Sequence, residues 1–191
     1  MKSVDFRKRA WDQLKGFYWQ LLVVGLIVGA IMGSSVALVG ILLTGPVLVG
    51  VNGYRLLIIR EARDDTNILL SGFKGPVVNY IITYILRGIF IILWTLLLII
   101  PGIIKCFSYA MTFYILADNP DLKPTQAIRQ SQEMMKGNKW RLFKLYFSFI
   151  GWFILAILTL GIGYIFLEPY VQLSVANFYE DLHEKKTELI K

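Results

Sequence analysis

The chain has 191 residues, of which 56% are hydrophobic, with a formal net charge of +7 and a mean hydropathy of +0.59. This length allows one domain of ordinary size, but so much apolar sequence exceeds what a water-soluble domain uses. The composition therefore excludes a soluble globular protein and predicts a membrane protein. The single cysteine, Cys106, excludes an internal disulfide framework, and with one histidine we expect no metal centre and no cofactor.

A basic N-terminal segment precedes a long apolar run over residues 17–43. This run is too long for the hydrophobic part of a secretory signal peptide, and no small-residue cleavage pattern follows it. We interpret it as a retained first span, since about 20 apolar residues cross a bilayer. Two further long runs, at 77–100 and 142–160, predict two more spans.

Small residues recur every fourth position in the first span. They are Gly25, Gly29, Gly33 and Ala37. This spacing places them on one face of a helix, where two backbones can approach closely. We interpret the stripe as a helix-packing face, and a ligand groove is the less favoured alternative.

Each long run ends at a Gly or Pro break, and a shorter apolar run follows it. The breaks contain Gly45 and Pro46, Pro101 and Gly102, and Gly161 and Gly163. The shorter runs cover residues 47–59, 103–116 and 163–179. Helices of this length cover only about 22 Å of a hydrocarbon core of about 30 Å. We expect them to span by tilting in packed surroundings, with partial entry as the alternative.

The basic residues decide whether each break is a kink in one span or the tip of a hairpin between two. Hairpins would place the polar connections and both termini on one side of the membrane. Of the 20 Lys and Arg residues, 17 lie in or beside those segments, and the predicted tips contain none. Because basic segments stay on the cytoplasmic side, we predict six spans with both termini cytoplasmic.

A shared order of landmarks in the three hairpins indicates an internal repeat. A Lys-Gly dipeptide precedes each long run, at 15–16, 74–75 and 136–137, and a tyrosine follows each break. We predict one all-α polytopic membrane domain, residues 1–191, in which each repeat begins with an amphipathic cytoplasmic helix. The pseudo-repeats cover approximately residues 1–62, 63–119 and 120–191.

Four ionisable residues interrupt the apolar runs: Arg55, Arg87, Lys105 and Glu168. Such groups are costly at membrane depth and face a cavity, a partner or backbone carbonyls. Lys105 can extend to the outer interface. Glu168 can pair with Arg55 or with Arg87, which would either lock helices together or line a path for a substrate or ion. The polar residues that could line such a path are Asn52, Thr83 and Gln172.

The segment after Pro124 has apolar and small residues at helical spacing, including Ala127, Ile128 and Ser131, with charged residues opposite. This pattern predicts an interfacial amphipathic helix that begins at Pro124. The cytoplasmic segments hold 17 basic and 12 acidic residues, so we expect contacts with anionic lipid. The aromatic residues lie in the spans or at their edges, which argues against nucleic acid as a partner.

The sequence contains no phosphate-binding Gly-rich loop, no GxSxG or HExxH motif and no pair of intramembrane carboxylates. We therefore predict a non-enzymatic module that acts through helix and lipid contacts, such as an accessory, envelope-protection or immunity component. A small transporter or channel for ions or small solutes is the alternative, and an enzyme acting on lipid comes third. Besides lipid, a second copy or another membrane protein is a candidate partner.

Several motifs in the C-terminal half occur in a familiar order. They are IPGIIK, ILADNP, AI-x2-S-x2-MMKG, LF-x-LYFSFIGW, LTLGIG and FYEDL. In these motifs the chain resembles the bacterial integral membrane family known as domain of unknown function 975. The N-terminal half resembles it only in its basic start and hairpin layout. The resemblance implies a bacterial cytoplasmic-membrane protein, and it supplies neither a function nor catalytic residues.

Overall fold

The computed structural model describes residues 3–32, 37–159 and 162–188, and the regular secondary structure of these residues is helical, with no strand. The helices are α1 (Ser3–Met32), α2 (Ala37–Glu61), a 3-10 helix (Thr66–Leu70), α3 (Ser71–Lys74), α4 (Val77–Leu97), α5 (Ile99–Ser108), α6 (Thr112–Asp118), α7 (Pro124–Met134), α8 (Lys139–Phe147), α9 (Ile150–Leu158) and α10 (Ile162–Glu188). The predicted all-α class is confirmed for the described residues.

Among the described residues, four helical segments are long and apolar enough to cross a membrane. They are Leu42–Glu61, Val77–Leu97, Ile99–Asp118 and Lys139–Leu158. Only 11% of the Val77–Leu97 segment is buried inside the protein, as suits an apolar helix whose outer surface faces lipid. These segments are consistent with the predicted membrane protein. In α1, the apolar stretch Gly16–Leu26 is shorter.

The chain forms two compact units. Unit 1 comprises Met1–Ala30, Arg55–Asp64 and Trp140–Lys191, and unit 2 comprises Ile31–Tyr54 and Asp65–Lys139. In unit 1, the buried rings of Phe6 and Phe178 meet edge to face with centroids 5.4 Å apart. The core of unit 2 contains Val49, Tyr80, Phe113, Leu116 and Ala127. Each unit therefore joins helices that are distant in the sequence around its own buried apolar side chains.

The second predicted break forms a helical hairpin whose turn lies at Leu98. This residue has extended backbone (φ −161°, ψ 138°) between α4 and α5. Pro101 lies in the first turn of α5, where its missing N–H costs no helical hydrogen bond. A Cβ on Gly102 would overlap Thr95 of α4, so the two helices approach closely just after the turn.

The third predicted break also separates two packed helices, α9 and α10. Thr159 follows α9, and its hydroxyl accepts a hydrogen bond of 2.9 Å from the N–H of Gly163 in the first turn of α10. A Cβ on Gly163 would lie 3.0 Å from Cα of Ala156, which again indicates a close approach of two backbones. Gly161 lies outside the described residues.

The first predicted break requires correction, because Gly45 and Pro46 both lie inside α2. A Cβ on Gly45 would lie 2.5 Å from the backbone oxygen of Tyr80, and the Pro46 carbonyl faces Gly72. This pair therefore provides a close helix contact and not a turn. The apolar run 17–43 is divided between α1, which ends at Met32, and α2, which begins at Ala37.

The helix predicted to begin at Pro124 does begin there, as α7. Its apolar face, with Ala127, Ile128 and Ser131, is buried within unit 2. The Ser131 hydroxyl donates a 2.9 Å hydrogen bond to the carbonyl of Ser108. The amphipathic pattern is thus confirmed, with its apolar face packed against the protein's own helices. The interfacial position of this helix stays a prediction.

Candidate functional site

Two opposite charges from apolar sequence meet in unit 1. Arg55, near the end of α2, donates from Nη2 to Oε1 of Glu168 on α10 at 3.3 Å. The two side chains are 8% and 22% exposed. Gln172 lies one turn further along α10 and is half-buried. Of the two partners that the sequence left open for Glu168, the structure places Arg55 against it.

Gly25 of α1 provides the space that the Glu168 carboxylate occupies. A Cβ at this position would lie 2.5 Å from Oε2 of Glu168. One carboxylate oxygen therefore faces Arg55 while the other faces a glycine of α1. Gly29, the next residue of the predicted packing stripe, has no neighbour within 4 Å of the place where a Cβ would be. Gly33 lies outside the described residues, and the side chain of Ala37 is not among those described.

The other predicted polar residues lie in unit 2. The Arg87 guanidinium carbon lies 5.4 Å from the ring centroid of Phe113, a cation–π distance. Thr83 is fully buried, and its hydroxyl donates a 2.6 Å hydrogen bond to the carbonyl of Asn79 one turn earlier. Asn52 of α2 is buried as well. Thr83 therefore satisfies its hydroxyl within its own helix.

Lys105 lies in α5, close to the hairpin turn at Leu98. Its ammonium nitrogen is 4.6 Å from the Trp94 ring centroid and 5.9 Å from that of Tyr109. Aromatic faces attract a cation, and tryptophan and tyrosine are enriched at membrane interfaces. The position of Lys105 near the tip of the α4 and α5 hairpin is the one expected of a side chain that extends to the membrane interface.

Ion pairs also join the polar end of α10 to the rest of unit 1. Asp181 accepts hydrogen bonds from Arg141 at 2.7 Å and Lys185 at 3.0 Å. Burial alone would raise the pKa of the Asp181 carboxyl, but these two cations outweigh burial and hold the pKa below its ordinary value. Arg60 similarly pairs with Glu180 at 2.6 Å. Glu180 and Asp181 are therefore each paired with basic side chains inside the unit.

An apolar cavity of about 570 Å³ lies between α1, α9 and α10, within the volume range of small-molecule sites. Its lining includes Trp11, Tyr18, Trp152, Leu155, Phe166 and Tyr170. A more polar depression of about 540 Å³ adjoins it at Trp11 and Tyr170, and Arg7, Lys8 and Asp12 line this second space. Sequence reasoning missed both spaces. The aromatic residues at the ends of the apolar runs were the available signal, but those of α1 are far in the chain from those of α9 and α10.

Residues 12–186 match the model of a protein family described as Protein of unknown function (DUF975). The match confirms the resemblance and extends it through most of the N-terminal half, so that it includes both Arg55 and Glu168. No curated protein and no solved structure matches the chain.

Proposed function

We propose that this chain, which belongs to the DUF975 family, is a non-enzymatic, multi-pass protein of the bacterial cytoplasmic membrane. In this proposal it is an accessory module, of the envelope-protection or immunity type, that acts through helix and lipid contacts. The observation that carries the proposal is the ion pair between Arg55 and Glu168, which joins two charges of apolar helices inside one unit.

The geometry of this pair favours a structural role. Charged residues that conduct ions or bind substrates at membrane depth face water-filled cavities. Only 8% of the Arg55 side-chain surface is exposed, and the guanidinium donates its hydrogen bond to Glu168. The contact ties the last part of α2 to α10, and Gly25 allows α1 to pack against the same carboxylate. The 22% exposure of Glu168 is the feature that favours the alternative, a transporter or channel.

Six spans in three hairpins are the second part of the proposal. Beyond the four long apolar segments, the stretch 17–32 of α1 and the stretch 162–179 of α10 would supply the other two. At 1.5 Å per residue they measure about 24 Å and about 27 Å, close to the thickness of the hydrocarbon core. In this arrangement both termini lie in the cytoplasm, on the side where the basic segments accumulate.

The proposed threefold repeat is supported by the local structure at the Lys-Gly dipeptides. α1 is kinked at Phe17, directly after the first dipeptide. α3 ends at Lys74, and α4 begins shortly after Gly75. The third dipeptide lies between α7 and α8, where Gly137 has φ +79°, a conformation that favours glycine. In each repeat a polar or amphipathic helix therefore gives way to a long apolar one at this dipeptide.

Labelling of single cysteines tests the orientation. In a Cys106→Ser background, Asp64→Cys and Asp121→Cys lie in two connections that six spans would place in the cytoplasm. We expect both to be protected from a membrane-impermeant maleimide in intact cells and to react after permeabilisation. Leu98→Cys, at a hairpin tip, is expected to react in intact cells. Reaction of either aspartate position in intact cells would contradict the proposed topology.

Flux from liposomes tests the functional part. Purified protein is reconstituted, and the release of ions and small anionic solutes is measured for the wild type, Arg55→Leu and Glu168→Gln. Arg63→Leu, a change at an exposed arginine of the same unit, is the matched control. We expect no release above that of protein-free liposomes. Wild-type release that disappears in either folded pair variant, but not in the control, would replace the accessory role by transport.

A further inference from the structure

We propose that the apolar cavity of unit 1 and the basic depression beside it together bind one anionic glycerophospholipid of the surrounding membrane. One acyl chain occupies the cavity between α1, α9 and α10, and the phosphate lies near Arg7 and Lys8. The inference rests on the proposed function, because it requires a membrane-embedded chain.

The cavity is suited to hydrocarbon. No charged residue is among the described residues that line it. Its one aliphatic hydroxyl, that of Thr159, already donates to the carbonyl of Ala156 at 2.9 Å and accepts from the N–H of Gly163 at 2.9 Å. An apolar cavity with few polar partners does not hold ordered water. In a membrane-embedded chain, a cavity of this volume and composition therefore favours an acyl chain as its occupant.

Arg7 carries its positive charge into the depression while being held by neutral groups. Its Nε donates to the hydroxyl of Tyr170 at 3.4 Å, and its Nη1 donates to the carbonyl of Ser148 at 3.1 Å. The guanidinium carbon also lies 5.1 Å from the ring centroid of Phe149. These three contacts with uncharged groups orient the side chain. A guanidinium held in this way is suited to phosphate oxygens.

The remaining charges of the depression favour an anion. Exposed Lys8 lines it together with Arg7, and Asp12 is the acidic residue in the lining. The described lining thus has two basic side chains against one acidic side chain. Because basic residues near a membrane surface attract anionic headgroups, this balance selects an anionic lipid over a zwitterionic one.

Two aromatic residues join the cavity to the depression. Trp11 and Tyr170 line both spaces, and their rings meet edge to face with centroids 5.7 Å apart. Such residues combine a polar tip with an apolar body and can therefore border both an apolar and a polar space. From Trp11 to Tyr18, α1 descends about 10 Å along the cavity. The two rings therefore connect the apolar cavity with the basic depression, as one ligand that occupies both spaces requires.

Native mass spectrometry of the full chain in detergent tests the headgroup site. The probes are phosphatidylglycerol and phosphatidylcholine with identical acyl chains, and we expect one phosphatidylglycerol per chain to be retained more tightly. Lys8→Gln should weaken phosphatidylglycerol binding about fivefold and leave phosphatidylcholine unchanged. Arg9→Gln removes the same charge from the next residue, which does not line the depression, and should change neither. Equal effects of the two substitutions would overturn the site.

The acyl-chain site is tested by filling the cavity. Leu155→Trp should weaken the binding of both lipids, whereas Ile157→Trp, an exposed position of α9 outside the cavity, should not. Equal binding by these two variants would overturn the inference. Displacement of phosphatidylglycerol by soluble glycerol phosphate would also overturn it, because the site would then bind a free phosphate. None of these results depends on flux, so a failed lipid site and a failed accessory role are distinguished.

Discussion

Replacing one member of the Arg55 and Glu168 pair should cost more stability than replacing both. Removal of one partner from a buried ion pair costs about 3–5 kcal/mol, whereas apolar replacement of both is often neutral or stabilising. Since 22% of the Glu168 side chain is exposed, some of the charge of a lone partner can be hydrated. We therefore expect the lower end of this range, about 3 kcal/mol.

The two single replacements should differ from each other. In Arg55→Met, the remaining Glu168 carboxyl can take up a proton and become neutral. In Glu168→Leu, the remaining guanidinium stays charged, because arginine is not deprotonated in proteins. We therefore expect Glu168→Leu to lower the free energy of unfolding more than Arg55→Met does, and the double variant to lie closer to the wild type than Glu168→Leu.

A double-mutant cycle measures this coupling directly. The free energy of unfolding is obtained for all four proteins in mixed micelles by titration with a denaturing detergent. Arg63→Met serves as the control. The Arg63 guanidinium lies 3.3 Å from the Glu61 carboxylate, but both side chains are exposed, and exposed ion pairs contribute little to stability. If the two single losses simply add in the double variant, the Arg55 and Glu168 contact does not stabilise the fold and the reasoning is refuted.

The other predictions use the same unfolding measurement. Gly45→Ala should destabilise strongly, because a Cβ would meet the backbone of α4, whereas Gly88→Ala, with open space around it, should be neutral or slightly stabilising. Gly25→Ala should be destabilising and Gly29→Ala should not, and equal effects would refute the carboxylate contact. The lowered pKa of Asp181 contributes stability above the ordinary carboxyl pKa, and this contribution is lost as the pH falls through the folded-state value. Asp181→Asn should therefore lose less stability on acidification than the wild type, and identical profiles would contradict the role of its ion pairs.

The local sequence located a break between two helices where a proline follows an apolar run that is long enough for a span. At Pro101 the preceding apolar run is already long enough for a span, and proline is favoured near a helix start. The turn predicted at Pro101 therefore lies close to the observed turn at Leu98. At Pro46 the same type of signal lies inside α2. A glycine can serve a turn or a close contact, and the tertiary partner of Gly45, the Tyr80 backbone, decides between them.

The candidate sites show the same limit. Hydropathy identified Arg55, Arg87 and Glu168 as unusual, because charge in an apolar run is visible locally. The sequence could not choose a partner for Glu168, since the pairing distance depends on the packing of α2 against α10. The cavity could not be predicted from the sequence, for a further reason. Its lining comes from α1, α9 and α10, and no local pattern connects residues so far apart in the chain.

The hairpin of α4 and α5 has an uncharged tip, where Leu96 and Leu98 are 85% and 62% exposed. During biosynthesis, a helix pair with such a tip can enter a bilayer as one unit. No ionised side chain at the tip has to cross the hydrocarbon, which would cost about 2.5–3.5 kcal/mol for each charge. The charged segments at 60–76 and 118–141 can remain where they were synthesised. The cost of translocating this hairpin is therefore that of its polar backbone at the turn and of the one Lys105 charge in α5.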